Sequence, residues 1–109
     1  MVQKAESQIS DVVIEAMRPE NIGRRLTALR TALGKKKSEM ADSLGVNRVY
    51  WSRFELGQRP VTNQVAAILY ERYGVTMDWI IMGRAQSLPV DLAEKIREAE
   101  ATLSDDANN

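Results

Sequence analysis

The alternation of apolar and polar residues predicts a chain of short helices that are separated by glycine or proline. Apolar residues recur at helical intervals from Ser7 to Met17, and Arg18-Pro19 ends this pattern. The next apolar stripe is formed by Ile22, Leu26, Leu29 and Leu33. Asn21 is of a type that caps helices and Gly34 is typical of a helix end, so we predict a second helix between them.

Two very short helices are predicted in the middle of the chain. The segment from Met40 to Leu44 indicates a helix that ends at Gly45. After a three-residue turn, the segment from Arg48 to Glu55 carries Trp51 and Phe54 at helical spacing, which indicates another helix. Two short helices joined by a tight turn that contains glycine are typical of a helix-turn-helix motif.

The last third of the chain predicts three further helices. Thr62 can cap a helix that ends at Gly74, and Thr76 can cap a short helix from Met77 to Met82. A final helix would begin at Pro89, because a first helical turn accepts proline. Its apolar stripe comprises Leu92, Ile96, Ala99 and Leu103, and the polar tail from Ser104 to Asn109 is expected to fray.

These elements predict an all-α fold in three parts. Residues 20–84 would form a five-helix domain around the helix-turn-helix, residues 1–19 an N-terminal helical extension, and residues 85–109 a C-terminal helix with its tail. The C-terminal stripe either packs within the chain or forms a dimer interface, and we favour the dimer. For the N-terminal helix, packing on the domain is favoured, and a dimer contact there is our second choice.

The composition excludes most kinds of enzyme. The chain has no Cys and no His, so it lacks thiolate nucleophiles, zinc-finger ligands and the usual general base of neutral pH. The carboxylates Asp42, Glu71 and Asp78 remain as the only catalytic candidates. We therefore predict a protein that is not an enzyme and that holds no metal or cofactor.

The net charge of zero conceals an uneven distribution. The segment from Arg18 to Arg59 carries ten basic residues against four acidic ones, a net charge of +6, whereas both ends of the chain are acidic. A basic segment between acidic flanks predicts one face that attracts phosphates. The chain start lacks the apolar run of a signal peptide, and no apolar stretch approaches the roughly 20 residues of a membrane span. We expect a cytoplasmic, nucleoid-associated protein without membrane contact.

Three sequence motifs occur in a fixed order along the chain. They are Ala-x-x-Leu-Gly-Val from Ala41, Ser-Arg-x-Glu-x-Gly from Ser52, and Asp-Trp-x-x-x-Gly from Asp78. Together with residues 22–30, they resemble the lambda-repressor-like (Cro/XRE) helix-turn-helix family over about sixty residues. The resemblance implies a bacterial or phage transcription regulator, a repressor in the simplest case, that binds a two-fold symmetric DNA operator as a homodimer.

The helix 48–55 is then expected to read DNA bases. With Trp51 pointing to the core, a step of about 100° per residue turns Val49 and Arg53 away from it. Arginine can contact guanine through two hydrogen bonds, and valine can pack on a thymine methyl group. The candidate base-reading residues are Arg48, Val49, Tyr50, Ser52 and Arg53. For Tyr50, covering the edge of the core is an equally weighted alternative.

Other residues are expected to hold the DNA backbone. The candidates are Lys36, Lys37, Asn47 and Arg59, with simple surface charges as the alternative for the basic ones. The resembling family commonly has Ser or Thr followed by Gln where Lys36 and Lys37 stand, so this chain is expected to lack that helix cap. Arg24 and Arg25 are expected to contact the backbone or to be solubilising charges.

Two further expectations follow from the resemblance. Arg30 and Glu55 stand where family members carry an ion pair that links the first domain helix to the recognition helix. Trp51 replaces a branched aliphatic residue, which predicts a slightly shifted recognition helix. An alternative function is an antitoxin whose acidic helix from Asp91 to Glu100 binds a basic toxin protein.

Overall fold

Helices form all of the regular secondary structure in the part of the chain that the structure describes. The structure is a computed structural model, and it describes the backbone of residues 9–108 and the side chains of residues 9–105. The helices are α1 (Asp11–Ala16), α2 (Pro19–Ala32), α3 (Lys37–Leu44), α4 (Arg48–Glu55), α5 (Asn63–Tyr73), α6 (Met77–Met82) and α7 (Val90–Asn108). The predicted all-α fold is confirmed.

Local capping signals set most helix starts at the predicted residues. The side chain of Asn47 accepts hydrogen bonds at the start of α4, and Thr62 does the same for α5. The hydroxyl of Thr76 accepts a hydrogen bond from the backbone N–H of Trp79 at the start of α6. Such bonds satisfy backbone N–H groups that a helix start leaves without a helical partner, so short polar residues mark these boundaries.

Several helix boundaries differ from the sequence predictions, and α1 begins only at Asp11 whereas α3 begins already at Lys37. Helix α2 begins at Pro19, and Asn21 lies inside it, where its side chain donates a hydrogen bond to the backbone carbonyl of Glu15. Proline is favoured in the first helical turn because its missing N–H needs no partner there. The predicted fraying from Ser104 is wrong as far as Asn108, since α7 continues to that residue. Ser7, Gln8 and Asn109 lie outside the described residues.

The core is built from helices α2 to α6 together with α7. Its largest fully buried side chains are Trp51, Leu26, Leu29, Met40, Leu69, Ile80 and Val75. Helices α2 and α4 contribute to the same cluster, so the inner face of α4 is anchored in the main core. Such anchoring holds the helix at a defined angle to the rest of the domain.

The apolar stripe of α7 is buried within the chain, which corrects the prediction that it forms a dimer interface. Leu92, Ile96 and Ala99 are buried and Leu103 is half-buried, and α7 packs mainly along α2. The connection between α6 and α7 is long enough for α7 to fold back on α2. The apolar stripe of α7 is therefore buried against its own chain and needs no second copy to cover it. This is the alternative of packing within the chain that the sequence pattern left open.

Helix α1 packs on the domain with one face and leaves the other exposed. Val13 and Ala16 are half-buried, whereas Val12 is 79% exposed and Ile9, Ile14 and Met17 are also exposed. Arg25 fixes the end of α1 by donating hydrogen bonds to the carbonyls of Ala16, Ile80 and Ile81. Burial lowers the pKa of this guanidinium. Arg25 therefore joins α1 to α6 and is not simply a solubilising surface charge.

The described residues contain neither a membrane-spanning helix nor a metal-ligand cluster. None of their helices has the length and apolar character needed to cross a membrane. No cluster of three or more His, Cys, Asp or Glu side chains among them could share a metal ion.

Candidate nucleic-acid interface

The two central helices form a helix-turn-helix around a tight turn. Helix α3 ends at Leu44, and Gly45 follows in the left-handed conformation with φ of 67°. Glycine adopts this conformation without the steric cost that a side chain would add. The Asn47 side-chain oxygen then accepts hydrogen bonds from the N–H groups of Val49 (2.8 Å) and Tyr50 (3.2 Å), which starts α4.

Helix α4 separates buried and exposed side chains as the helical spacing predicts. Trp51, Phe54 and Glu55 are buried, and the two aromatic rings meet edge to face with centroids 6.0 Å apart. On the opposite side, Val49 and Arg53 are exposed. This outer face presents one apolar side chain and one guanidinium to a ligand.

Basic side chains border both flanks of the outer face. On the side of α3, the Lys37 ammonium lies 3.5 Å from the hydroxyl of Ser52. On the other flank, the Arg59 guanidinium lies 3.8 Å from the centre of the Tyr50 ring, a cation–π contact. Two candidate backbone-binding residues thus touch two candidate base-reading residues, and these four side chains flank the outer face that carries Val49 and Arg53.

The start of α3 has a helix cap that the sequence analysis missed. Lys36 precedes the helix, and its backbone N–H donates a hydrogen bond of 2.7 Å to Glu39 Oε1. As expected, the lysines supply no side-chain cap of their own, and the Glu39 carboxylate instead satisfies the backbone N–H of Lys36. Glu39 stands three residues after Lys36, which is the spacing of the glutamate in a capping box, so the signal was present in the sequence.

Arg48, at the first position of α4, is paired with Asp42 on α3. Its Nε donates to Oδ1 at 3.0 Å and its Nη2 donates to Oδ2 at 2.6 Å. Both side chains are exposed to solvent. The hydrogen bonds from Arg48 lower the pKa of Asp42, and the same bonds raise the pKa of Arg48. Sequence analysis considered Asp42 only as a catalytic candidate and missed this contact.

The inner side of α4 is held by a buried carboxylate. Glu55 Oε2 accepts from Arg30 Nε at 2.6 Å and from the indole N–H of Trp51, and Oε1 accepts from Arg30 Nη2 at 3.1 Å and from Thr27 at 3.0 Å. Arg30 also donates to the carbonyl of Lys35, just before α3. The network joins α2 to both helices of the motif and thereby sets the angle of α4.

Comparisons with known proteins agree with this geometry. A family model described as a helix-turn-helix domain matches residues 21–78, which is more than half of the chain. The chain is also similar to the SPbeta prophage-derived uncharacterized HTH-type transcriptional regulator YonR of Bacillus subtilis (strain 168), with 28% identity over 82 residues that cover 75% of this chain and 74% of that protein. No solved structure matches the chain significantly. The family match and the observed α3–turn–α4 geometry show that the chain belongs to the helix-turn-helix domain family and is a DNA-binding protein of that family.

Proposed function

We propose that this protein is a transcriptional repressor that binds a two-fold symmetric DNA operator as a homodimer. The observation that carries the proposal is the outer face of α4, which exposes Val49 and Arg53 between the basic side chains of Lys37 and Arg59. A helix that is apolar inside and carries basic groups outside fits the major groove of DNA. The relative in Bacillus subtilis is named as a transcriptional regulator, which supports the regulatory part.

Base reading is assigned to the exposed side chains of α4. Arg53 lies near the middle of the outer face and is free of the core, so its guanidinium can reach a guanine edge. Val49, which is 55% exposed, is placed to pack on a thymine methyl group. Arg48, Tyr50 and Ser52 complete the proposed set.

Backbone binding is assigned to residues that border this face. Lys36 and Lys37 stand at the start of α3, where the helix dipole and their charges both favour a phosphate. Asn47 stands at the start of α4, and Arg59 follows its end. These contacts would set the register of the protein on DNA without reading sequence.

The dimer contact is assigned to the exposed apolar face of α1. The stripe of α7 is already buried, so it is not available to a second copy. An apolar groove of about 320 Å³ lies between Met17, which follows α1, and the loop after α4, with Ile22, Val61 and Ile81 in its lining. The exposed face of α1 therefore continues toward the end of the recognition helix, where a two-fold axis would bring two such helices onto neighbouring turns of DNA.

Selection of bound sequences from random DNA tests the proposal. We expect enrichment of a two-fold symmetric site, and binding that weakens steeply with salt because phosphate contacts release counterions. A result with no sequence enriched above background would contradict the proposed function. Enrichment of a site without symmetry would contradict the dimer alone.

Two alanine variants test how the contacts are sorted. Arg53→Ala should weaken the preference at one base pair by about 1–3 kcal/mol. Lys37→Ala should weaken binding to all sequences alike and lower the salt slope by about one. Titration of both variants on selected and mixed-sequence DNA provides the measurement. Equal behaviour of the two variants would show that the assignment of these residues is wrong.

A matched pair of charge substitutions tests the dimer surface. Val12→Glu places a charge on the exposed face of α1, and we expect sedimentation to show a shift from dimer to monomer. Tyr70→Glu, on another exposed apolar surface formed with Met77, is the control and should leave the dimer intact. If Tyr70→Glu produces the monomer and Val12→Glu leaves the dimer intact, the interface lies on α5 and α6 and the assignment to α1 is wrong.

Toxin binding remains an alternative that receives no specific support. The acidic side chains in the predicted toxin-binding segment of α7 are exposed, and they are Asp91, Glu94, Glu98 and Glu100. The apolar stripe of the same helix is buried against the domain. A protein partner would therefore meet only the charged face of α7, and we retain DNA binding as the proposed function.

A further inference from the structure

The contact between Asp42 and Arg48 spans the turn of the helix-turn-helix motif. Asp42 belongs to α3, and Arg48 is the first residue of α4. Two hydrogen bonds, of 3.0 Å and 2.6 Å, hold the guanidinium in one orientation relative to both helices. Paired bonds of this kind fix geometry as well as charge.

The pairing leaves one edge of the guanidinium available. Asp42 takes the N–H of Nε and one N–H of Nη2. The N–H groups of Nη1 and the second N–H of Nη2 remain, and they point away from the carboxylate because the guanidinium is planar. Two adjacent N–H groups are what a guanine edge accepts through its O6 and N7 atoms.

The location of the pair favours a role in binding over a role in folding. The Arg48 and Asp42 side chains are 65% and 56% exposed, so solvent screens their attraction. An unpaired arginine at this position would sample many rotamers and would have to be ordered when DNA binds. The carboxylate carries out this ordering in advance, which lowers the cost of binding.

We propose that Asp42 is a positioning residue that holds Arg48 so that its free edge reads a guanine in the operator. The inference rests on the proposed function and adds a residue that does not itself touch a base. Asp42 also places a negative charge near the DNA phosphates. Its removal should therefore have opposite effects on general affinity and on base discrimination.

The test compares four forms of the full chain on DNA. Arg48→Ala first identifies the base pair that Arg48 reads, from the position that loses its preference in the selected site. Asp42→Asn, which removes the charge and keeps the size, should lower the preference at that same base pair by about tenfold. Binding of Asp42→Asn to mixed-sequence DNA should become tighter. In the double variant, Asp42→Asn should cause no further loss of preference.

Glu71→Gln provides the matched control. Glu71 is an exposed acid on α5, so this change removes one charge without touching the motif. It should tighten binding to all sequences and leave every base preference intact. Thermal unfolding of all variants checks that they are folded.

Several outcomes would overturn the inference. If Asp42→Asn behaves like Glu71→Gln, Asp42 is only a surface charge. If it lowers the preference equally with and without Arg48, it does not act through Arg48. If Arg48→Ala keeps every preference, the inference fails while the proposed function stands, whereas a wild-type protein that selects no sequence overturns both.

Discussion

Two arginine–carboxylate pairs flank the recognition helix, and they differ mainly in their exposure to water. The Arg30–Glu55 and Arg48–Asp42 pairs have the same shortest N–O distance, 2.6 Å. The side chains of Arg30 and Glu55 are 16% and 3% exposed, whereas both partners of the other pair are more than half exposed. The same chemical groups in the same geometry therefore experience very different solvation.

The difference in solvation determines what each pair can do. A carboxylate that leaves water needs several hydrogen-bond donors, and Glu55 has Arg30, Thr27 and Trp51 around it. The pair is buried under α4, so it is not placed to meet a ligand and serves to hold the helix. The Asp42–Arg48 pair is solvated, contributes little to folding and leaves N–H groups of Arg48 exposed, as the proposed reading of a guanine requires.

The largest expected effect comes from removing the buried carboxylate. Glu55→Ala leaves the Arg30 guanidinium and the Trp51 indole N–H without their acceptor inside the domain. The loss of one partner of a buried ion pair costs about 3–5 kcal/mol of unfolding free energy. Urea unfolding would measure this loss, with Asp42→Ala as the control for the exposed pair. Similar unfolding midpoints for the two variants would refute the contrast between the pairs.

The next largest effect is expected where α2 crosses α4. A Cβ atom on Gly23 would collide with the backbone carbonyl of Glu55 and lie 2.8 Å from that of Phe54. Alanine favours helices over glycine by about 1 kcal/mol, but this clash involves backbone that cannot move aside. Gly23→Ala should therefore destabilise the protein by about 1–3 kcal/mol.

Thr31→Ala provides the control for this substitution. Thr31 is exposed on the same helix, so its replacement should leave the unfolding midpoint almost unchanged. Urea unfolding of both variants provides the measurement. A Gly23→Ala protein as stable as the wild type would show that α2 and α4 can separate without cost.

The smallest expected effect is a shift in the titration of Asp42. Arg48 lowers the pKa of this carboxyl in the folded protein, so the pair is intact above the ordinary pKa of aspartate and is lost as the pH falls through the lowered value. Carbon-13 NMR titration should give a higher pKa for Asp42 in Arg48→Ala than in the wild type. The same pKa in both proteins would mean that the contact is absent in solution.

Much of the motif was predictable because its signals are local. The bounds of α4, the turn before it and the caps at Asn47, Thr62 and Thr76 all follow from residues within one helical turn. The inward direction of Trp51 follows from the helical repeat alone. The start of α2 was missed by three residues, because Asn21 is of a capping type but Pro19 occupies the first helical position and Arg18 precedes it.

Contacts between distant segments were not predictable in the same way. The stripe of α7 has the same sequence pattern whether it meets α2 or a second chain, so periodicity leaves both outcomes open. Arg25 looks like a surface charge in sequence, yet it bonds to the carbonyls of α1 and α6. Asp42 pairs with a residue on the other side of a turn, and only the angle between α3 and α4 brings them together.

The sequence by itself therefore determined the kind of protein, through helix repeats, capping residues and a basic segment around the motif. Each of these properties depends on near neighbours in the chain, so it is present before the chain folds. The tertiary structure alone decided which amphipathic face remains open and which arginine is already engaged. Those outcomes depend on which apolar surfaces are buried against each other, and that is a property of the packed domain.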